Sequence, residues 1–172
     1  MEFEKLIKER YSVRNFQPPP LPREVIHRIL EAGNAAPTGC NLQPYRLLVL
    51  DTPEALEKLK DCTRCHFGAP FAILVCSSTS ESWKRPYDGA LAAPVDGSIV
   101  ATHMMLSAHD QGVGCCWVMH FNPVPMRQAF RIPEDLEPLA LLVMGYPAEN
   151  AAPRELHFKR RPLEETVVYG SF

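Results

Sequence analysis

"VDGSIVATHMMLSAHDQGVGCCWVMHF", residues 95–121, sets a helix directly against a strand. Between Ile99 and Leu106 apolar residues fall on nearly every side of a helical wheel, so the spacing predicts a helix over 95–111 covered on more than one face. Burial of that kind points to a subunit interface as well as to a core. "GCCWVMHF" (114–121) then reads as a buried strand. Outward toward the C-terminus, "NPVPMRQAF" is a short helix capped by Asn122, and "PLALLVMGYP" is a strand ended by Gly145 and Pro147.

Outward toward the N-terminus lie two further strands, "YRLLVLD" (45–51) and "FAILVCSS" (71–78), with "TPEALEKLKDC" between them. There Thr52 is the cap and Pro53 the first helical residue. Thr79–Pro94 carries turn signals with Trp83 and Tyr87 and is a candidate lid. The chain opens with a short amphipathic helix from about Glu2 to Arg10. A second helix begins at Pro22, carries the stripe Val25, Ile26, Ile29 and Leu30, and stops at Gly33. Helices and strands alternate along the chain, and 172 residues form one domain without internal repeats. The last 25 residues hold no helical stripe. Their charged "HFKRRPLEE" and β-prone "TVVY" suggest an arm from Ala148 to Phe172 that pairs outside its own core.

Eighteen basic and 20 acidic residues leave a net charge of −2, which calls for neither nucleic acid nor an anionic membrane. No apolar stretch approaches the roughly 18 residues of a membrane span. The charged start "MEFEKLIKERYS" lacks the pattern of a secretory signal. A cytoplasmic location is expected, with the six cysteines mostly reduced.

"ERYSVRNF" (9–16) places Arg10, Ser12 and Arg14 at alternate positions, so an extended chain projects all three from one face. Alone, the two arginines are ordinary surface cations. About 25 residues later, "APTGCNLQPY" concentrates hydroxyl, amide and exposed backbone groups suited to the edge of a planar polar heterocycle. Alone, it is a turn. "CTRCH" (62–66) matches the attachment pattern of c-type haem, and Cys62 and Cys65 with Cys115 or Cys116 would make an incomplete zinc set. Half-buried thiols are the plainer reading, and no metal is expected.

Taken together and in order, "RYSVR", "APTGCNLQPY", "RPYDG", the 95–121 stretch and "IPEDLEPLALLVMGYPAE" resemble the FMN-dependent nitroreductase family over nearly the whole chain. The resemblance implies an α+β fold with a central, mostly antiparallel sheet flanked by helices. It also implies a homodimer with two FMN sites in its interface and C-terminal arms wrapped around the partner. Arg10, Tyr11, Ser12 and Arg14 would contact the FMN phosphate, ribityl chain and pyrimidine edge. Pro37, Thr38, Gly39 and Asn41, with Gln43 close by, would reach the flavin bound mainly by the other subunit. Trp117, Val118, Met119 and His120 would pass beside the isoalloxazine, with a backbone N–H near Met119 on N5 and His120 placed to protonate a substrate. Lys159 and Arg161 would return to the phosphate, with Arg160 an alternative to Arg161.

The activity implied is transfer of reducing equivalents from NAD(P)H through the flavin to a small-molecule acceptor such as a nitroaromatic or quinone. Reductive dehalogenation, flavin fragmentation and flavin binding without turnover are the alternatives. No catalytic side chain is assigned, because the cofactor carries the electrons.

Overall fold

The chain's structure, a computed structural model, describes residues 2–172. "FAILVCSS" is the strand on which everything else is laid. Each of its eight residues is buried, because the strand is central in the sheet and covered on both faces. The helices are α1 (Phe3–Glu9), α2 (Arg23–Asn34), α3 (Pro53–Cys62), α4 (Ala93–Asp110) and α5 (Pro123–Phe130). The strands are β1 (Tyr45–Leu50), β2 (Phe71–Ser78), β3 (Gly114–Val118) and β4 (Leu136–Gly145). Their order is β1-β2-β4-β3, and every neighbouring pair is antiparallel.

Alternation sorts the core into two layers. Phe71, Ile73 and Val75 of β2, with Leu142 and Met144 of β4, face α2 and α4. Ala72, Leu74, Cys76, Leu141 and Val143 face the opposite way, toward α3 and α5. The result is helix, sheet, helix. No helix among the described residues is long and apolar enough to cross a membrane.

Thr52 caps α3 as its sequence implies, its hydroxyl accepting the Ala55 N–H at 3.2 Å. Asn122 does the same for α5 through Val124 N–H at 3.1 Å. Gly33 does not stop α2, which runs on to Asn34. A Cβ at Gly33 would lie 2.7 Å from Met104 Cγ, so this glycine lets α2 approach α4 closely. Helix α4 buries Val100, Ala101, Met104 and Ala108 against the sheet. It leaves Val95 exposed and Ile99, Met105 and Leu106 half-buried in the single chain.

A further expectation is corrected. The third strand ends at Val118, three residues before Phe121, because Met119–Phe121 turns out of the sheet with Phe121 N–H donating to Met119 O at 3.0 Å. Within its own chain "TVVY" forms no strand. The tail makes only single turns at Glu155–His157 and Leu163–Glu165, since no strand of its own chain lies beside it to pair with.

Candidate functional site

Residues 10–16 run extended along the free edge of β3. Ser12 pairs in parallel with Cys115, Phe16 pairs antiparallel with Pro147, and Val13 N–H donates to Cys115 O at 3.1 Å. Val13, only 2% exposed, turns into the protein. Arg10, Ser12 and Arg14 turn out and line one cavity of about 280 Å³. The tail supplies the other wall with Arg154, Leu156, His157 and Arg160. It is tied down by Tyr11, whose hydroxyl donates to Ala151 O at 3.2 Å and whose ring meets His157 edge-on.

Four guanidinium groups therefore face one small space. None of them forms an ion pair with a carboxylate among the described residues. Arg14 gives one N–H to Ser12 O at 3.1 Å and Arg160 one to Lys159 O at 2.9 Å, which leaves most of their donors unused. Arg14 also lies 6.0 Å from the Phe67 ring centroid. Converging cations repel unless an anion sits among them, and a phosphate's charge and acceptor oxygens match this donor set.

Arg154 escaped sequence reasoning because it stands alone, ahead of the basic run. Arg160 lines the cavity, whereas Lys159 pairs with Glu155 and Arg161 is exposed outside it. Behind the cavity, burial lowers the basicity of His109 in the last turn of α4, and the neighbouring Arg10 lowers it further.

The Pro37–Gln43 loop is built on itself. Asn41 N–H donates to Thr38 O at 2.9 Å and Gln43 N–H to Thr38 Oγ1 at 3.0 Å. Cys40, Asn41 and Gln43 all take left-handed backbone angles. Gly39 N–H donates to Asp96 Oδ1 at 3.0 Å, anchoring the loop to the first turn of α4. Pro37, Asn41 and Gln43 are exposed, with Thr38 and Gly39 partly covered.

In β3, Trp117 is half-buried and packs toward the α2/α4 layer, and Val118 is buried in the other layer. Met119 and His120, beyond the strand end, are exposed and border a groove of about 590 Å³ with Cys62, Thr63 and Arg64. Thr63 fixes this corner by donating its hydroxyl to His120 O at 2.5 Å.

Cys62 donates its thiol to Lys58 O and packs in the α3/α5 layer near Cys65. Among the described residues, no group of three or more His, Cys, Asp or Glu side chains is placed to hold a metal ion. Burial pushes the Cys62, Cys115 and Cys116 thiols up, and Cys76 up to about 11. A thiol-specific disulfide reagent at pH 8 should therefore modify exposed Cys40 fast and half-buried Cys65 slowly. The other four should react only after denaturation, as a stopped-flow count of released chromophore would show.

The candidate lid is a fastened knuckle. Arg85 grips Asp88 through two hydrogen bonds, at 2.7 and 2.5 Å, and Lys84 bridges to Leu91. Trp83 is anchored at its base, its carbonyl accepting the Ala92 N–H, and its Cβ lies over Gly39. Tyr87, 94% exposed, is the aromatic that the knuckle presents.

The arginine cavity and the loop lie at opposite ends of α4. Asp96, which holds the loop, and His109, beside Arg10, are 13 residues apart, or about 20 Å along the helix axis. A single copy does not bring the two groups to one small ligand.

Solved proteins share this architecture, and curated ones are similar in sequence. A nitroreductase family protein from Clostridium difficile 630 superposes with a TM-score of 0.94 at 41% identity, covering 100% of both chains. A Desulfovibrio desulfuricans protein solved in complex with FMN gives a TM-score of 0.79 at 28% identity over 100% of this chain and 98% of its own. A relative from Methanothermobacter thermautotrophicus, named for NADH dehydrogenase and NAD(P)H nitroreductase activities, is 31% identical over 91% of this chain and 83% of its own length. The sequence profile described as "Nitroreductase family" matches residues 7–67 and 65–146, a range that runs from the arginine strand through the end of β4. On sheet order, site-bearing segments and sequence alike, the chain belongs to the nitroreductase family of oxidoreductases.

Proposed function

We propose that the protein is a cytoplasmic homodimeric FMN enzyme that takes reducing equivalents from NAD(P)H and passes them to a nitroaromatic, quinone or similar conjugated acceptor. The observation that carries this reading is the convergence of Arg10, Arg14, Arg154 and Arg160, without carboxylate partners among the described residues, on one cavity beside Ser12. That donor set suits the FMN phosphate. In this reading the tail contributes Arg154 and Arg160, the latter the alternative to Arg161, and both line the cavity.

When bound, FMN would supply the two-electron chemistry, accepting hydride from the nicotinamide and reducing the acceptor in a second step. The chain's own residues bind and orient it. Arg10 and Arg14 fix the phosphate end, and Tyr11 holds the tail against the cavity. The loop from Pro37 to Gln43 would cover the flavin edge of a second copy. Cationic groups near the flavin also favour the negative charge that builds on reduction. Beyond β3, Met119 and His120 present backbone at a corner fixed by Thr63, with the His120 side chain free in the groove.

The tail exposes Leu156, Phe158, Leu163 and Tyr169, and α4 exposes Val95. Apolar surface of that extent, of which Leu156 lines the arginine cavity, is what a second copy would cover.

The test is direct. The purified protein should be yellow, and its visible flavin band should bleach anaerobically with NADH or NADPH and return on adding a nitroaromatic or a quinone. A flavin that stays oxidised with both nicotinamides would reduce the protein to a binder. Arg14→Ala should weaken FMN binding about tenfold or more, because a charge-assisted hydrogen bond contributes roughly 1.5–3 kcal/mol. Arg14→Lys should fall between the two, keeping charge and losing the planar fork. Titration of apoprotein with FMN, followed by flavin fluorescence, reads both.

A further inference from the structure

Asp96 is 4% exposed, and its two carboxylate oxygens have different fates. Oδ1 accepts the Gly39 N–H at 3.0 Å, while Oδ2 is buried without a hydrogen-bond partner. Among the described residues only His109 Nε2 shares that condition. A buried, unpaired carboxylate oxygen is costly, and an apolar residue would fill the space without it. Part of that cost is offset by the N-terminus of α4, where Asp96 lies in the first turn of a helix whose N-cap residue, Ala92, offers no side-chain cap and whose Ala93 N–H donates to Ser82 Oγ at 2.9 Å. What the carboxylate does there is hold Gly39.

Gly39 begins the run in which Cys40, Asn41 and Gln43 adopt left-handed angles that side chains disfavour. Such a run keeps its shape only where its surroundings determine it. Asp96 makes the hydrogen bond that joins Thr38–Asn41 to an element distant in sequence, 57 residues away. Packing converges on the same point. A Cβ on Gly39 would lie 3.2 Å from Trp83 Cβ and 3.5 Å from Ala92 Cβ. The loop, the knuckle and the start of α4 therefore meet at Gly39, and Asp96 is the group that fixes their register.

We propose that Asp96 is a positioning residue acting across the dimer: by holding Gly39 it shapes the loop that closes over the flavin bound at the other copy's arginines. The inference rests on the flavin reading above, and it makes α4 the rod that links one flavin site to the other. Asp96 touches no flavin itself.

Three variants separate this role from helix capping. Asp96→Asn keeps an acceptor for Gly39 N–H and should bind FMN within about threefold of the unsubstituted protein. Asp96→Ala removes the acceptor and Asp96→Glu displaces it by one methylene, and each should bind FMN about tenfold more weakly. In the apoprotein, the Gly39 amide proton resonance should move upfield in Ala and Glu and stay in place in Asn, a readout independent of the cofactor. Glu keeps the negative charge at the helix N-terminus, so a folded Glu variant tests the idea even where Ala fails to fold. Affinity within twofold of the unsubstituted protein in Ala and Glu would overturn the proposal. Equal losses in Asn and Ala that track a lowered melting temperature would also overturn it and leave only helix capping.

Mixed dimers then read the crossing of subunits. One copy carrying Arg14→Ala paired with one carrying Asp96→Ala should retain one full-affinity site. Both substitutions in one copy, paired with an unsubstituted copy, should leave none. The reverse pattern would place loop and arginines of the same copy in one site and overturn action across the dimer. If the unsubstituted protein fails to bind FMN, the flavin reading itself falls before any variant is made.

Discussion

A chain ended after Ala152 is expected to fold, to run as a monomer and to lose its flavin. The ties that fasten the tail's root lie before the cut: Phe16 pairs with Pro147, Ala148 N–H donates to Asn15 O, and Tyr11 donates to Ala151 O. Beyond it the residues are mostly exposed. Leu156, Phe158, Leu163 and Tyr169 are 70% exposed or more, so their removal takes nothing from the core. What goes with them is Arg154 and Arg160, two of the four cations facing the cavity. At roughly 1.5–3 kcal/mol for each charge-assisted contact, the loss corresponds to a 10²- to 10⁴-fold weaker hold on FMN. Thermal melting by circular dichroism should show a folded protein, while sizing chromatography shows half the mass. A truncated protein that elutes as a yellow dimer would contradict both the arm and the phosphate assignments.

How much of this was legible in the sequence follows from the range of each signal. The alternation of Arg10, Ser12 and Arg14 is a local property of extended chain. It survived into the structure because Val13, between them, has a buried place to go. "FAILVCSS" announced a buried strand, since burial on both faces asks for apolar residues at nearly every position. Arg154 carried no local mark. Only the return of the chain from Pro147 to Ala151 along residues 11–17 brings it to the cavity.

Gly33 looked like a helix stop because glycine usually punctuates, but here its missing side chain serves a helix crossing that no local pattern encodes. "TVVY" has the composition of a strand and lacks a neighbour to pair with. The end of β3 was overrun by three residues because Met119, His120 and Phe121 continue its apolar and aromatic character past the point where the backbone turns. The bond between Asp96 and Gly39 spans 57 residues, and nothing near either one foretells it.

Gly114→Ala should do more damage to the site than to the fold. Gly114 is the first residue of β3, and a Cβ there would stand 2.7, 2.8 and 2.9 Å from three side-chain atoms of Val13. Val13 is β-branched and 2% exposed, so it cannot swing aside as a long flexible side chain would. Gly97 is a useful contrast. Its nearest neighbour, also at 2.7 Å, is the far end of Leu139, which can rotate away. The strain at Gly114 must therefore push the 10–16 segment off the edge of β3, stretching the Val13 N–H bond to Cys115 and moving Arg10, Ser12 and Arg14 together. Overpacking of this kind costs roughly 1–3 kcal/mol in stability. The phosphate contacts depend on the same segment, so FMN affinity should fall about tenfold or more beyond what the melting temperature reflects. Val13→Ala removes the opposing methyl groups. Combined with Gly114→Ala it should recover only part of the lost FMN affinity, because the Val13 Cβ, 2.8 Å from the new Cβ, remains, and the two substitutions should prove non-additive in a double-mutant cycle. Equal affinity in the single Gly114→Ala variant and the unsubstituted protein would show that the edge strand does not set the position of the arginines.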